Sequence, residues 1–373
     1  MTDGAHRVHG LAGKEVAPTW PPLGDAELHL LLRAWPQLHG PVTILWHSPR
    51  PFSVSARVRC GSDEVFVKRH PLRVRDAMTL GEEQAFIAHL RSHGLPAPEV
   101  LLAADGRGAI EQDGFVYEIH ALAAGEDRYR DCPSWTPLTD LEDAHAAGRM
   151  LARLHNAAED FAAPPRAAWL LVARDEVLRA ADPLAAIAAM APMRPALADF
   201  LRQRDWRSAL APIVERQQRI QPLLAQQRRL WTHNDWHASN LFWRGDALSA
   251  VLDFGLAAPT FALYDLATAI ERNAIAWLQL ERGAQAVHVA TARALIDGYS
   301  QLRALDAAQC RLLAELLPIV HVDFALSEIE YFHGVTASSA DAELAWHTFL
   351  LGHAAWFDGA PGRMLFEAIA AIT

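Results

Sequence analysis

Cysteine is scarce in this chain, and the few cysteines lie far apart. They are Cys60, Cys132 and Cys310. Their spacing matches neither a zinc site, whose ligands come in close pairs, nor the dense framework of a disulfide-stabilised domain. Isolated thiols of this kind are typical of a reducing compartment, so we expect a cytoplasmic protein.

Long apolar runs and an excess of positive charge are also missing. No stretch approaches the roughly 18 consecutive apolar residues of a membrane span, and residues 1–14 lack the apolar segment of a secretory signal. The formal net charge of −10 and the pI near 6.0 disfavour a nucleic-acid partner. With 373 residues, 51% of them hydrophobic, the chain can form two or three domain-sized units. We expect neither a membrane nor a nucleic acid as partner.

The most informative segments are residues 233–240, HNDWHASN, and residues 251–255, VLDFG. Asp235 is followed five residues later by Asn240, and Asp253 stands thirteen residues further on, before Phe-Gly. Kinase-like enzymes space a base and two magnesium ligands in this way. Phosphoryl transfer needs such a set, because a carboxylate must orient the acceptor hydroxyl while metal ions hold and neutralise the phosphates.

The residues between these ligands predict a hairpin. Residues 241–243 and 248–252 have the composition of two short strands, and Gly245 with Asp246 suits the turn between them. Folding the hairpin brings its open ends together, so the oxygen ligands Asn240 and Asp253 converge on one point. Magnesium prefers such ligands, with phosphates and water filling its other positions. Asp235 then faces the same point from the loop that enters the hairpin.

The first half of the chain has the alternating patterns of strands at residues 43–47, 54–59 and 64–68, with a turn at residues 61–63. Lys68 ends the third strand. The next helix begins near Thr79, which forms the pattern of a capping box with Glu82. Glu83 then shares one helix face with residues 86, 87 and 90. A glutamate on a buried face needs a positive partner, and Lys68 is our candidate.

Together these features resemble the aminoglycoside phosphotransferase and choline kinase superfamily. Its catalytic loop usually reads His-Gly-Asp-x-His-x-x-Asn; here Asn234 replaces the glycine, and Trp236 replaces the usual leucine. The resemblance covers about residues 50 to 270. It implies an α+β, bilobal, protein-kinase-like fold with a small β-rich lobe and a larger, mainly helical lobe. We therefore expect a mobile N-terminal extension at residues 1–24, the first lobe at residues 25–122 and the helical lobe at residues 123–373.

The resemblance also implies roles for residues of the catalytic segment. Asp235 would orient and deprotonate the acceptor hydroxyl, and His237 would assist near the γ-phosphate. Asn240 and Asp253 would hold Mg²⁺. Near the start of the helix predicted at residues 261–277, Asp265 would hold the catalytic loop through backbone hydrogen bonds.

In the first lobe, the resemblance implies an ATP site. Lys68, set by Glu83, would bind the α- and β-phosphates. Ser53 and Ser55 lie where the loop that covers the phosphates belongs, although this segment lacks glycine. The hinge that contacts adenine would be formed by Ile119, His120 and Ala121. In the second lobe, a capping box at residues 139–142 begins a helix in which His155 is a packing residue.

The segment at residues 321–333 is unusually acidic. On a helix, Asp323 and Glu330 lie on one side and Glu328 lies nearer the other. Carboxylates near the acceptor would favour a substrate that carries an amine. These three residues, with Trp236 beside the base, are our candidates for acceptor contacts, and the alternative is an amphipathic surface helix.

The sequence therefore predicts an enzyme, a kinase that moves the γ-phosphate of Mg-ATP to a hydroxyl of a small molecule. The acceptor would be a metabolite, an amino alcohol or an aminoglycoside. One alternative is a bacterial stress-response-type Ser/Thr protein kinase, which the residues around Lys68 and Glu83 also resemble. Another is a nucleotide-binding pseudokinase scaffold, which the presence of every chemical group disfavours. A broad cleft would favour a protein substrate, and a closed, acid-lined pocket would favour a small molecule.

Overall fold

The computed structural model describes residues 6–11 and 13–372. Residues 1–5 and Ala12, which belong to the expected N-terminal extension, lie outside the described residues, as does Thr373. The chain divides into two compact units, Met1–Ala124 and Gly125–Thr373. The first is built on a β-sheet and the second mainly on helices, so the predicted α+β class is confirmed.

The strands are β1 (Val8–His9), β2 (Glu15–Val16), β3 (Val42–His47), β4 (Val54–Cys60), β5 (Asp63–Pro71), β6 (Ala109–Gln112), β7 (Phe115–Ala121), β8 (Leu230–Thr232), β9 (Leu241–Arg244), β10 (Ala247–Val251) and β11 (Ala258–Thr260). The α-helices are α1 (Asp25–Leu31), α2 (Ala77–Ser92), α3 (Leu141–Ala157), α4 (Glu176–Arg179), α5 (Pro183–Ala189), α6 (Pro195–Arg202), α7 (Trp206–Ala225), α8 (Ala262–Ala274), α9 (Val289–Ser300), α10 (Ala307–Leu316), α11 (Val322–Glu330), α12 (Ser339–Leu344), α13 (His353–Trp356) and α14 (Ala360–Ala370). Across residues 6–11 and 13–372, none of the helices combines the length and the apolar character that crossing a membrane requires.

The first unit is organised around a five-stranded antiparallel sheet in the order β3-β4-β5-β7-β6. Its three predicted early strands are present, but β5 continues to Pro71 instead of ending at Lys68. Lys68 consequently lies within a central strand, opposite Ser55 of β4 and Glu118 of β7. The apolar side chains of the sheet pack with α1 and Trp35 into one buried core. Lys68 is therefore set in a rigid sheet.

Helix α2 begins earlier than the sequence predicts. Asp76 is the N-cap, its carboxylate accepts a hydrogen bond from the Thr79 N–H, and the Thr79 hydroxyl lies 3.1 Å from the Asp76 nitrogen. The expected capping role of Glu82 is wrong, because Asp76 and Thr79 already make the reciprocal pair one turn earlier. The buried face is as predicted: Glu83 lies inside, together with residues 86, 87 and 90.

Two helices of the second unit approach each other through glycines. A Cβ atom added at Gly148 of α3 would lie 1.9 Å from the Leu295 carbonyl oxygen of α9. One added at Gly298 would lie 1.9 Å from the carbonyl oxygen of His145 in α3. Helix α3 itself is capped by Asp140, whose carboxylate accepts hydrogen bonds from the N–H groups at positions 142 and 143, and not by the expected Thr139.

This packing predicts that Gly148→Ala destabilises the protein by at least about 2 kcal/mol, because a backbone carbonyl cannot yield and the helices must separate. The matched control is Gly81→Ala in α2, where an added Cβ meets nothing within 4 Å. That change should stabilise by about 0.5–1 kcal/mol through helix propensity. Urea unfolding of both variants measures the difference. Equal midpoints would contradict the close packing of α3 on α9.

Candidate functional site

The segment that carries Asp235 begins at β8 and is shaped by its polar neighbours. Strand β8 pairs with β11, and the Asn234 side-chain oxygen accepts hydrogen bonds from Thr232 and Thr260. Asn234 has a φ of 62°, in the left-handed region that glycine and asparagine adopt most readily. This explains why asparagine can stand where the family usually has glycine. The backbone turns sharply here and brings Asp235 out of the strand.

Asp265 holds this loop from the first turn of α8. Its carboxylate accepts hydrogen bonds from the backbone N–H of His233 at 2.8 Å and of Asn234 at 2.7 Å. His155 donates to the same carboxylate at 3.0 Å, and the hydroxyl of Tyr299 donates to the other ring nitrogen of His155 at 2.8 Å. Asp265, His155 and Tyr299 are all buried. The predicted role of Asp265 is confirmed, and the buried His155 both packs and orients Asp265.

His233 fixes the loop from the other side. Its Nε2–H donates to the carbonyl oxygen of Leu252, and its Nδ1 accepts from the N–H of Asp235. Burial lowers the pKa of His233, which keeps the ring neutral and suited to both bonds. Trp236 is fully buried and packs edge-on against His233, while its carbonyl oxygen accepts from Asn273. Because its ring has no exposed surface, Trp236 supports the loop and is withdrawn from the acceptor contacts.

The carboxylate of Asp235 is held by side chains and stays partly exposed, with 16% of its surface accessible. One oxygen is paired with Arg272 of α8 and lies 3.5 Å from Nε2 of His237. The other accepts from the side-chain amide of Asn240 at 3.1 Å. Arg272 was missed by our sequence reasoning. Its signal is its position seven residues after Asp265, which places both residues on one face of α8.

The predicted hairpin is present as β9 and β10, joined at Gly245 and Asp246. Leu241 and Val251 are partners at its open end, and the Leu252 N–H donates to the Asn240 carbonyl oxygen at 2.8 Å. Asn240 and Asp253 therefore flank neighbouring strand ends.

The donor atoms of these two residues suit Mg²⁺. The Asn240 Nδ2 is turned to Asp235, which leaves its amide oxygen as the atom available to an ion. Asp253 is exposed and has a left-handed φ of 58°. A carboxylate and an amide oxygen form a hard-oxygen pair that magnesium accepts.

In the first unit, Lys68 and Glu83 are both buried. The sequence contains only one other lysine, Lys14, although it has 34 basic residues, so arginine supplies nearly all the rest. A buried lysine in such a chain indicates a position that requires the compact positive charge of an ammonium group.

Glu118, which lies opposite Lys68 in the sheet, is fully buried. Burial works against ionisation of Glu118, but His120, His70 and Lys68 hold the pKa of this carboxyl well below its usual value. The pairing of Lys68 with Glu83 stays a prediction.

The residues predicted to cover the phosphates and to contact adenine differ in burial and in backbone bonding. Ser53 precedes β4, whereas Ser55 is buried within β4, so only Ser53 belongs to the connecting loop. At the predicted hinge, the Ile119 carbonyl accepts from the Leu101 N–H, and the Ala121 N–H donates to the Glu99 carbonyl. His120 lies 3.0 Å from Glu118.

The backbone groups of the predicted hinge thus have protein partners. The carbonyl of Ile119 and the N–H of Ala121 are therefore not open to adenine.

Helix α11 carries the three acidic candidates, and it is buried, so the surface-helix alternative is wrong. As the helical spacing predicts, Asp323 and Glu330 lie on one side of the helix and Glu328 on another. Glu330 is paired with Arg194 at 2.6 Å, and Asp323 accepts from the backbone N–H of Arg174 at 3.0 Å and lies 3.6 Å from Arg194. Neither Asp323 nor Glu330 lines the recess described next, so an acceptor contact by these two residues finds no support.

Glu328 faces a small recess of the second unit, with a cavity volume of about 30 Å³. We call it the acidic recess; its charged and aromatic lining residues are Trp135, Tyr264, Glu271, Arg272, His321, Phe324, Glu328, Phe349 and His353. Within the described residues, neither carboxylate oxygen of Glu328 has a hydrogen-bond partner. Such a buried acceptor is costly unless a ligand or a proton satisfies it.

Burial governs the protonation of this lining. It raises the pKa of Glu271 to about 8, and it raises the pKa of Glu328 to about 8 against the opposing effect of Arg272. Burial lowers the pKa of His321 to about 4 and the pKa of His353 well below its usual value. Both histidines are therefore neutral at neutral pH, and Arg272 with the two carboxyls sets the charge of the acidic recess.

Comparison with known proteins gives one family. The profile of a phosphotransferase enzyme family matches residues 49–308, more than half of the chain. The homoserine kinase of Rhodopseudomonas palustris is 27% identical over 245 residues, covering 66% of this chain and 66% of that protein. The chain thus spans just under two thirds of the length of this curated relative.

Solved structures share the fold at low sequence identity. An amicoumacin kinase in complex with AMP-PNP and Ca²⁺ has a TM-score of 0.59 and 15% identity, covering 91% of this chain and 92% of that one. A microcompartment-associated aminopropanol kinase has a TM-score of 0.51 and 15% identity, covering 88% and 98%. These likenesses confirm the kinase-like fold.

Proposed function

Because the chain belongs to the phosphotransferase enzyme family, we propose that it transfers the γ-phosphate of ATP to a hydroxyl group of a small molecule. The observation that carries this proposal is the partly exposed carboxylate of Asp235, which Arg272 and the side-chain amide of Asn240 hold in place. A carboxylate placed in this way can accept the hydroxyl proton as the phosphorus–oxygen bond forms.

In this proposed mechanism each predicted site residue has its own role. Asp235 orients the acceptor hydroxyl and takes its proton, and the buried His237 supports the γ-phosphate side. Lys68 binds the α- and β-phosphates, and Glu83 sets its position. Ser53 covers the phosphates from its loop. Because the Ile119 carbonyl and the Ala121 N–H are already bonded, the adenine contact would fall to residues 122–124.

Asn240 and Asp253 would hold Mg²⁺. When bound, the ion neutralises the phosphate oxygens and holds them for transfer. The amide of Asn240 also donates to Asp235, so the residue that would bind metal also orients the base. The hydrogen bond from Asn240 to Asp235 brings the two residues together in space, which their short spacing in the chain favours.

We further propose that the acceptor carries an amine. Glu328 and Glu271 place two carboxyls in one recess, and Trp135, Phe324 and Phe349 give it apolar walls. An ammonium group would satisfy the unpartnered carboxylate oxygens of Glu328 through charge-assisted hydrogen bonds. Homoserine and aminopropanol, the compounds named for two of the similar proteins, each carry an amine and a hydroxyl.

The acidic recess also bears on the two alternatives. Its small size and acidic lining favour a small molecule over a protein substrate. Turnover would exclude the pseudokinase scaffold. Cys60, Cys132 and Cys310 are free thiols, which supports a cytoplasmic location as part of the proposal.

For the base, Asp235→Asn should lower kcat by about 10²–10⁴-fold, because an amide cannot accept the hydroxyl proton. The KM for ATP should change little, since this residue contacts the acceptor. Steady-state kinetics with a panel of amino alcohols, hydroxy amino acids and aminoglycosides measures both constants. Asp246→Asn, in the exposed hairpin turn, is the control. Near-normal turnover of Asp235→Asn would refute the assignment.

For the metal, Asp253→Ala should abolish the Mg²⁺-dependent part of ATP binding, and Asn240→Ala should weaken it less. The reason is that a carboxylate contributes a full charge to the ion, whereas an amide contributes only a dipole. Calorimetric titration of ATP with and without Mg²⁺ separates the two variants. Unaltered Mg-ATP binding by Asp253→Ala would show that the hairpin does not hold the ion.

For the acceptor, KM should fall by about tenfold per pH unit as pH rises toward 8, because only ionised Glu328 pairs with an ammonium group. Glu271, Arg272, His321 and His353 face the same recess. Both histidines stay neutral in this range and Arg272 stays charged, so only the two carboxyls titrate.

Glu328→Gln should raise KM by about tenfold or more and flatten most of this pH dependence. The control is Glu330→Gln, whose side chain pairs with Arg194 outside the acidic recess. Kinetics from pH 6 to pH 9 with one amine-bearing acceptor decide the case. An equal effect of the two substitutions would show that the amine binds elsewhere.

A further inference from the structure

Arg272 contacts the proposed base and also lines the acidic recess. Its guanidinium is paired with the carboxylate of Asp235, and the same side chain lines the acidic recess beside Glu328. Only 6% of its surface is exposed. A buried arginine must be compensated by acceptors, since an unpaired charge in the interior is expensive. Asp235 supplies Arg272 with a paired carboxylate, and Arg272 in turn neutralises one oxygen of Asp235.

The guanidinium of Arg272 contacts Asp235 and also packs against helix α11. Its central carbon lies 4.8 Å above the ring of Phe324, and Glu328 on the same helix as Phe324, α11, attracts it when ionised. Stacking on a ring and bonding in the guanidinium plane restrict its rotation. A lysine ammonium has no such plane, so it could supply the charge at this position without the orientation.

Helix α8 also fixes the backbone around Asp235. Asp265 accepts the N–H groups of the two residues before it, and Asn273 donates to the carbonyl of the residue after it. Arg272 comes from the same helix and reaches the side chain. The main chain and the carboxylate of Asp235 are thus positioned by one rigid element.

We propose that Arg272 is a positioning residue for the base: it sets the rotamer of the Asp235 carboxylate so that an oxygen faces the acceptor hydroxyl. This inference rests on the proposed phosphotransferase function. Asn240 holds one carboxylate oxygen, and Arg272 holds the other. Because an ionised carboxylate has about four acceptor positions, both contacts leave room for the acceptor hydroxyl.

The test compares Arg272→Gln and Arg272→Lys with Arg194→Gln, which removes a buried arginine of the same unit that pairs with Glu330 and Asp323. Arg272→Gln should lower kcat by about 100-fold, the usual loss when a reacting group is misplaced by about 1 Å. Arg272→Lys should recover part of this loss. The KM for ATP should stay within about twofold in both. Arg194→Gln should lower stability and leave the kcat of the folded protein near wild type.

A readout independent of turnover is the coupling between Asp235 and Arg272 in thermal unfolding. Melting temperatures of wild type, Asp235→Asn, Arg272→Gln and the double variant should be clearly non-additive, because each single change leaves the charge of the other residue uncompensated. If wild type consumes no ATP with any acceptor, the proposed function fails, and this cycle still tests the contact.

Several outcomes would overturn the inference. If wild type turns over but folded Arg272→Gln keeps kcat within about twofold, Arg272 does not position the base. Additive melting temperatures would show that the pair does not exist in solution. Equal losses of kcat in Arg272→Gln and Arg194→Gln would reduce the role of Arg272 to general stability.

Discussion

The site depends on one buried carboxylate, Asp265, and the two backbone N–H groups that it binds. Those groups belong to His233 and Asn234, where the chain turns out of β8 with a left-handed residue. In a turn of this kind the backbone N–H groups have no strand partner, so a buried acceptor must satisfy them. Asp265 does this from a helix, and its own orientation is set by His155. The position of the loop is therefore tied to α8.

This tie explains why the remaining contacts fall where they do. Once the first turn of α8 is bound to the loop, the end of the helix must lie beside the residues that follow. Asn273 then meets the carbonyl of Trp236, and Arg272 meets the carboxylate of Asp235. A single helix thus contacts both the backbone around the proposed base and its carboxylate. The hairpin β9–β10 contributes the other fixed contact, through Asn240.

The acidic residues of the second unit form two sets with different partners. Glu330 is paired with Arg194, and Asp323 accepts a backbone N–H at one oxygen while the charge of Arg194 lies 3.6 Å from the other. Glu328 has the field of Arg272 but, within the described part of the chain, no hydrogen bond to either oxygen. Burial raises its pKa to about 8, so at neutral pH a proton can take the place of a partner. This difference is the reason for proposing Glu328, and neither Asp323 nor Glu330, as the carboxylate that contacts the acceptor.

The sequence by itself determined the elements and the chemistry that depend on short spacing. Asp235, Asn240 and Asp253 stand at fixed separations around a hairpin, and the period of α2 places Glu83 inward, because local geometry dictates both. Only the tertiary structure decided which buried acids have partners, that the backbone groups of Ile119 and Ala121 are already bonded, and that Arg272 meets Asp235. Those facts join residues far apart in the chain. No local spacing specifies them, since they follow from how whole helices and strands pack.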